Sequence, residues 1–330
     1  MKDRIDTSTS LLEVHELSIA FATRRGMLTA VDGISFSLSP GEILGVVGES
    51  GAGKSLTGMA IIGLLERPGH ISGGEILFEE KRIDNIHPEQ MRRIRGKKIG
   101  AIFQDPLTSL NPLYTVGRQL VETIQTHLDL NRDQARNWAI ELLAEVGIPA
   151  PEKRIDHYPH QFSGGMRQRV VIALAICANP KLIIADEPTT ALDVSIQAQI
   201  IEVLKKMCRE HGTAVILITH DMGVIAETCD RVAVMYSGRL AEIGPVHDVV
   251  KEPYHPYTRG LMGSIPIIGA KGVSLTQIEG TMPRLSDIPP GCAFHPRCPE
   301  AMPRCSADRP EPVHINSSDA ACLLYEGGSE

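Results

Sequence analysis

The 330-residue sequence predicts an α/β fold built on a doubly wound parallel sheet, and three observations carry that expectation. Continuous apolar runs at Ile43 to Val47, Leu182 to Ala185, Ala214 to Thr219 and Val232 to Tyr236 read as strands buried on both faces. Helical apolar spacing alternates with them: Leu56, Met59, Ala60 and Leu64 share one face, as do Ile196, Ile200, Val203, Leu204 and Met207. A glycine-rich stretch from Gly48 to Ser55 separates the first buried run from the first of these helices. Strands alternating with helices imply parallel pairing with helices on both faces of the sheet.

The remaining elements follow in order. Alternating apolar residues at Leu17, Ile19 and Phe21, then at Ile34, Phe36 and Leu38, predict antiparallel strands and hence an antiparallel β-subdomain. Ser39-Pro40-Gly41 reads as a turn. Residues 72–104 return to short strands, ending in Ile99 to Phe103. Residues 115–180 are helical in pattern, with Ala139 to Val146 and Arg167 to Cys177 as the clearest stretches, and a helical subdomain is expected over about 106–178. From about Pro253 proline becomes frequent and periodicity fades, which predicts a separate small module containing four of the cysteines. There is no internal repeat and no low-complexity tract.

Composition excludes several classes. A hydrophobic content of 42% supplies enough core for one large domain or two sharing an interface. The formal net charge of −7 argues against a nucleic-acid surface over the whole molecule, and 4% aromatic residues argue against base-stacking platforms. The basic run Arg92, Arg93, Arg95, Lys97 and Lys98 therefore reads as a solvated strand or loop edge. No apolar run is long enough to span a bilayer, and Met1 to Leu12 is polar with no signal-peptide core. The expected location is the cytosol, with any membrane association made through partners.

Gly48-Glu49-Ser50-Gly51-Ala52-Gly53-Lys54-Ser55 has the pattern of a phosphate-binding loop, the P-loop. Glycines let the backbone wrap closely and turn its N–H groups toward phosphate oxygens, and the following helix, which begins near Lys54 and includes Leu56, adds its positive end. Lys54 places a point charge on the outer phosphates, and the Ser55 hydroxyl can ligate Mg²⁺. The run Leu182 to Ala185 ends in Asp186 and Glu187. An aspartate at that strand end helps to hold Mg²⁺ in P-loop ATPases, and Glu187 then stands where it can polarise an attacking water.

Phe162-Ser163-Gly164-Gly165-Met166-Arg167-Gln168-Arg169 is a second glycine loop feeding a helix, with Ser163 as its N-cap. This segment resembles the signature of the ABC ATPases, a superfamily in which two cassettes sandwich ATP. The resemblance covers roughly residues 11–262 and implies a P-loop NTPase core. It implies that Ser163, Gly164 and Gly165 complete the ATP site of a partner subunit. Gln104 resembles the glutamine that senses Mg²⁺ and the attacking water; Asp193 resembles the aspartate at the dimer seam. His220 resembles the switch histidine at the γ-phosphate, and Phe21 falls where the family places an aromatic on adenine. The implied division is a nucleotide-binding domain over 1–262 and an extension over 263–330.

Three further segments narrow the resemblance. Thr108 to Pro112 follows Gln104, in a region where related importers contact the membrane subunit. Tyr254-His255-Pro256-Tyr257-Thr258 and Gly291-Cys292-Ala293-Phe294-His295-Pro296-Arg297-Cys298-Pro299 resemble the C-terminal extension of oligopeptide and dipeptide permease ATPases, which also occurs in relatives moving nickel or sugars. The implied assembly has a second ATPase subunit, expected to be a different chain, two integral permease subunits and an extracytoplasmic binding protein, with this chain on the cytoplasmic face of the membrane. A soluble ABC ATPase acting on DNA or ribosomes is the alternative class; the long coiled-coil insertion and the second cassette that such proteins carry are not in this sequence.

Seven cysteines are present, and Cys292, Cys298, Cys305 and Cys322 crowd the tail. In a reducing compartment that grouping reads as metal or cluster ligation before disulfides. The gaps match neither the tighter pairs of zinc ribbons nor the ferredoxin run. The family resemblance favours a [4Fe–4S] cluster, with zinc or free thiols as alternatives, in a structural role that would stabilise a tail with little core.

Overall fold

The structure is a computed structural model that describes residues 10–24, 26–104, 109–189, 194–264 and 278–326. In chain order the strands and helices begin with β1 (Leu12–Thr23), β2 (Gly26–Leu38), β3 (Ile43–Val47), α1 (Lys54–Ile61), β4 (Gly69–Phe78) and β5 (Lys81–Arg82). They continue with α2 (Pro88–Ile94), β6 (Ile99–Ile102), α3 (Val116–His127), α4 (Arg132–Glu145), α5 (Pro151–Arg154) and α6 (Gly164–Ile176). Then come β7 (Leu182–Asp186), α7 (Val194–His211), β8 (Ala214–Ile218), α8 (Met222–Thr228), β9 (Arg231–Tyr236) and β10 (Arg239–Pro245). The last are α9 (Val246–Lys251), α10 (Pro256–Gly263), β11 (Val313–Ile315) and β12 (Ser318–Ala320). No described helix is long and apolar enough to cross a membrane.

Contacts group the chain into two compact units, one of Met1–Ser39, Ile43–Asn85 and Ile218–Glu330, the other of Pro40–Glu42 and Ile86–Leu217. In the first unit β2, β1, β4 and β5 form an antiparallel sheet in that order, as the period-2 patterning predicts. β3, buried along its whole length, pairs in parallel with β9, Leu44 against Arg231 through Val47 against Val234. β9 continues antiparallel into β10.

The tail joins this unit through backbone pairing. β12 lies antiparallel to β10, with Glu242 opposite Ala320, and β11 closes a hairpin on β12. Beneath the hairpin, Phe294 packs edge-on to Tyr236 with ring centroids 5.2 Å apart and lies 5.3 Å from Tyr257. Such aromatic contacts bury large areas and add geometric specificity, so this proline-rich stretch shares an aromatic core with β9.

His255 lies in that core at 4% exposure. Its Nδ1 accepts the Tyr257 N–H at 3.0 Å, capping α10, which requires an unprotonated Nδ1. Burial, aided by the Arg259 charge, lowers its pKa from 6.5 to about 4. The unfolded chain then binds the proton first, so stability is full above pH 6.5 and falls as pH drops toward 4. Buried Glu242, its carboxyl raised above 4.5 by desolvation, pulls the opposite way above pH 4.5 and so offsets part of the His255 effect within the same window. The expected His255 slope is about 1.4 kcal/mol per pH unit inside that window. Denaturant titrations at several pH values should show it in wild type and a flatter profile in His255→Asn, which keeps a capping side chain.

In the second unit β6 and β7 pair in parallel, Ile99 against Leu182 through Ile102 against Ala185. The helices α3, α4 and α6 bury apolar stripes: Val116, Leu120 and Ile124; Ala135, Ala139, Leu142 and Leu143; and Val170 through Ala173. Trp138 on α4 donates from Nε1 to the Cys177 carbonyl at 2.8 Å, tying α4 to the end of α6. One local expectation changes. Arg92 and Arg93 lie in the last turn of α2, not on a strand, where cations complement the helix C-terminus. α2 is started by His87, whose ring accepts the Glu89 N–H while Gln90 reaches back to the His87 N–H.

Candidate nucleotide site

Gly48 to Ser55 connects the buried β3 to α1 within the first unit. Gly48 has φ +150°, and a Cβ there would stand 2.2 Å from the Met235 carbonyl oxygen, so only glycine fits. Gly53, at φ +101°, begins α1 with no side-chain cap, and no acidic residue occupies the first turn. The N-terminal end of the helix is thus left for an anion. Ala52 N–H donates to Glu49 O at 3.2 Å, and Gly238 N–H donates to Ala52 O at 3.0 Å, holding the loop in its curve. Lys54, 7% exposed, folds back across the loop and donates from Nζ to Gly48 O at 2.7 Å and to Glu49 O at 3.0 Å. A curved backbone with its only buried cation at the mouth is a phosphate cradle, so the loop fits a nucleotide polyphosphate.

Other expected residues of the first unit lie as follows. Exposed His220 follows β8, directly before Asp221, whose carboxylate caps α8. The neighbouring Thr219 N–H donates to Val46 O at 3.2 Å, which ties this turn to the strand that leads into the loop. Half-buried Phe21 sits near the end of β1, paired with Leu28 and Gly69, and a Cβ on Gly69 would meet its ring at 2.8 Å.

In the second unit the parallel register of β6 and β7 brings Gln104 beside Glu187, and Gln104 donates from Nε2 to Glu187 Oε2 at 2.9 Å. Asp186 ends β7, and Glu187 takes a left-handed backbone at φ +48°. That conformation costs a non-glycine residue on the order of 1 kcal/mol and concentrates at functional sites. Ser163 caps α6, its Oγ accepting the Met166 N–H at 3.3 Å. Ser163 and Gly164 are exposed, with open space around Gly164, whereas Gly165 is buried and a Cβ there would collide with Ile196 Cδ1 at 2.7 Å. Gly165 is therefore required by packing within the unit, and Ser163 and Gly164 form the accessible part of the loop. Asp193 and Thr108 lie outside the described residues.

Two side chains that the sequence marks only by family resemblance reach the loop from the C-terminal region. The Tyr257 hydroxyl accepts the Glu49 N–H at 2.9 Å, and Arg297 donates from one guanidinium nitrogen to both Glu49 carboxylate oxygens, at 2.9 and 3.1 Å.

The family profile "ABC transporter" matches residues 31–190, and the profile "Oligopeptide/dipeptide transporter, C-terminal region" matches residues 241–305. The oligopeptide transport ATP-binding protein AppD of Bacillus subtilis is 46% identical over 320 residues, spanning 96% of this chain and 98% of that protein. The chain belongs to the ABC transporter family of ATP-binding proteins. This ABC protein is also 52% identical over 296 residues to the oligopeptide transport ATP-binding protein OppD of Bacillus subtilis, covering 89% of this chain and 83% of its relative. Among solved structures it resembles the dimeric ATP-binding cassette MJ0796 in a post-hydrolysis state bound to ADP and Pi, with TM-score 0.65 and 27% identity over 71% of this chain and 98% of that one. The fold is thus that of an ABC ATPase, and ATP with Mg²⁺ is the ligand its loop is shaped for.

The iron–sulfur expectation is corrected. Among the described residues, the one His, Cys, Asp or Glu group with ligand atoms all within 4.8 Å of one another is Glu145, Glu210 and His211; no three sulfurs of Cys292, Cys298, Cys305 and Cys322 meet that condition. The four cysteines do line one small pocket, with Phe294 and His255. Burial raises the Cys292 and Cys298 thiols and lifts Cys322 to about 11. The hairpin pairing and the aromatic cluster supply the cohesion that a cluster or zinc ion was expected to provide. The relatives are described as ATP-binding transport proteins, which adds nothing in favour of a cluster.

Proposed function

We propose that this chain is the ATPase subunit of an importer that takes up oligopeptides or dipeptides, working at the cytoplasmic face of the cell membrane. The observation that carries the reading is the joint presence of the braced Lys54 cradle and near full-length similarity to peptide-transport ATP-binding proteins. Within the ABC fold we assign the nucleotide-binding domain to 1–262, with a helical subdomain at about 106–178, and the extension to 263–330.

The division of labour follows from the chemistry of each side chain. The N–H groups of Gly48 to Ser55, with Leu56 in the first helical turn, hold the phosphates, and Phe21 stacks on the adenine. Ser55, Gln104 and Asp186 would hold Mg²⁺, which when bound would supply positive charge beside the phosphates. Glu187, oriented by the Gln104 amide, accepts a proton from the attacking water. His220 donates to the γ-phosphate, and the charge that develops there is stabilised by fixed donors. Ser163, Gly164, Gly165 and Asp193 serve the nucleotide of a second ATPase subunit, expected to be a different chain. Closure of that pair on ATP would drive two permease subunits between outward and inward states. Leu113, 79% exposed on the segment after Gln104, suits a permease contact, and an extracytoplasmic binding protein would deliver the peptide.

Deleting the gene should abolish uptake of a labelled tripeptide and spare uptake of nickel and sugars; expression of wild type should restore it. Loss of nickel or sugar uptake with peptide uptake intact would refute the substrate assignment.

A further inference from the structure

We infer that Arg297, in the C-terminal region, is a positioning residue for nucleotide binding, acting by neutralising and fixing Glu49 of the phosphate loop. The inference rests on the reading of that loop as the ATP site.

Three bonds converge on Glu49. Its N–H donates to the Tyr257 hydroxyl, its carbonyl accepts from Lys54 Nζ, and its carboxylate accepts from Arg297. Arg297 is itself anchored from three sides: its Nε donates to Glu279 O at 2.9 Å, its second terminal nitrogen reaches Gly280 O at 3.4 Å, and the first also reaches the Tyr236 hydroxyl at 3.3 Å. Its side chain is 8% exposed, and that of Glu49 is 29% exposed. The pair is therefore partly withdrawn from water, unlike surface ion pairs, which contribute little. A second contact comes from Met282, whose methyl lies 3.1 Å from where a Cβ on Gly51 would stand.

Two physical consequences follow. A carboxylate on the loop itself opposes an incoming polyphosphate, and the guanidinium cancels that charge. A loop already ordered by bonds from the tail does not have to be ordered by the nucleotide. The family-typical tail thus reaches beyond its own packing to the site of energy input, through a side chain 248 positions away from its partner.

The test is binding of Mg²⁺ with the slowly hydrolysed analogue ATPγS to the full chain, by calorimetry. Arg297→Ala is expected to weaken affinity about tenfold, the scale of a lost, partly buried charge pair. In steady-state turnover it should raise KM for MgATP while leaving kcat within about twofold. Adding Glu49→Gln to Arg297→Ala removes the uncompensated charge and should recover affinity to within about threefold of wild type. Should Arg297→Ala not fold, Arg297→Gln with and without Glu49→Gln carries the same comparison. Wild-type affinity in the Arg297 variant, or a double variant no tighter than the single, overturns the inference. A different pattern marks failure of the ATP-site reading itself: wild type that does not bind, or Lys54→Ala that binds as well as wild type.

Discussion

Replacing Glu187 with glutamine is expected to reduce steady-state ATP hydrolysis by about 100-fold or more while leaving nucleotide binding intact. General-base catalysis contributes on the order of 10²–10⁴-fold, and an amide cannot take up the proton. The substitution changes one atom of a side chain held at φ +48° and bonded to Gln104, so the strand end and its geometry are kept. Binding without cleavage should also trap the ATP-closed form with its partner subunit. Phosphate release assays read the rate, and analytical ultracentrifugation with MgATP reads the trapped species. Turnover unchanged by Glu187→Gln would remove Glu187 from the base role.

Lys54→Ala is expected to weaken MgATP binding by about 100-fold. Removal of a buried, hydrogen-bonded charge from its oppositely charged partner costs roughly 2–5 kcal/mol, which spans that factor. The loss has a second source in this chain. Lys54 Nζ bridges the Gly48 and Glu49 carbonyls, so alanine also removes the brace that holds the loop in its curve. Equilibrium binding of ATPγS separates the two contributions, because arginine at position 54 keeps the charge and loses the compact bridging geometry. Affinity should fall in both variants and fall further in alanine.

Much of this site was legible because its chemistry is local in sequence. The Gly48 to Ser55 loop, the Ser163 cap and the acidic end of the Leu182 run are each contained within a few residues, and the structure places them at strand ends and helix starts as read. The positive φ of Glu187 was not legible, since nothing in an Ala-Asp-Glu-Pro stretch marks a left-handed glutamate. α2 was missed because seven residues, Pro88 to Ile94, bury only Met91 and so show no apolar period. The His87-Pro88 step and Gln90, together a capping pair with proline in the first turn, were the available signal.

The tail shows the reverse limit. The grouping of its cysteines suggested ligation, but the four line one pocket with no three sulfurs within 4.8 Å of one another, and grouping in sequence cannot distinguish the two. What holds the tail is non-local: Glu242 faces Ala320 across strands, and Glu49 meets Arg297. Contacts between residues so far apart in sequence leave no periodic trace. Tyr257 and Arg297 stood inside quoted motifs, yet their roles became visible only when the fold carried them to the phosphate loop.

The most direct measurement is peptide transport by the purified complex of this chain with its permease and ATPase partners, reconstituted in proteoliposomes with a labelled tripeptide, binding protein and MgATP. The account predicts transport that requires MgATP on the side carrying this chain and disappears with Lys54→Ala although the complex still assembles. Transport that proceeds without MgATP, or at the wild-type rate with Lys54→Ala, would contradict it.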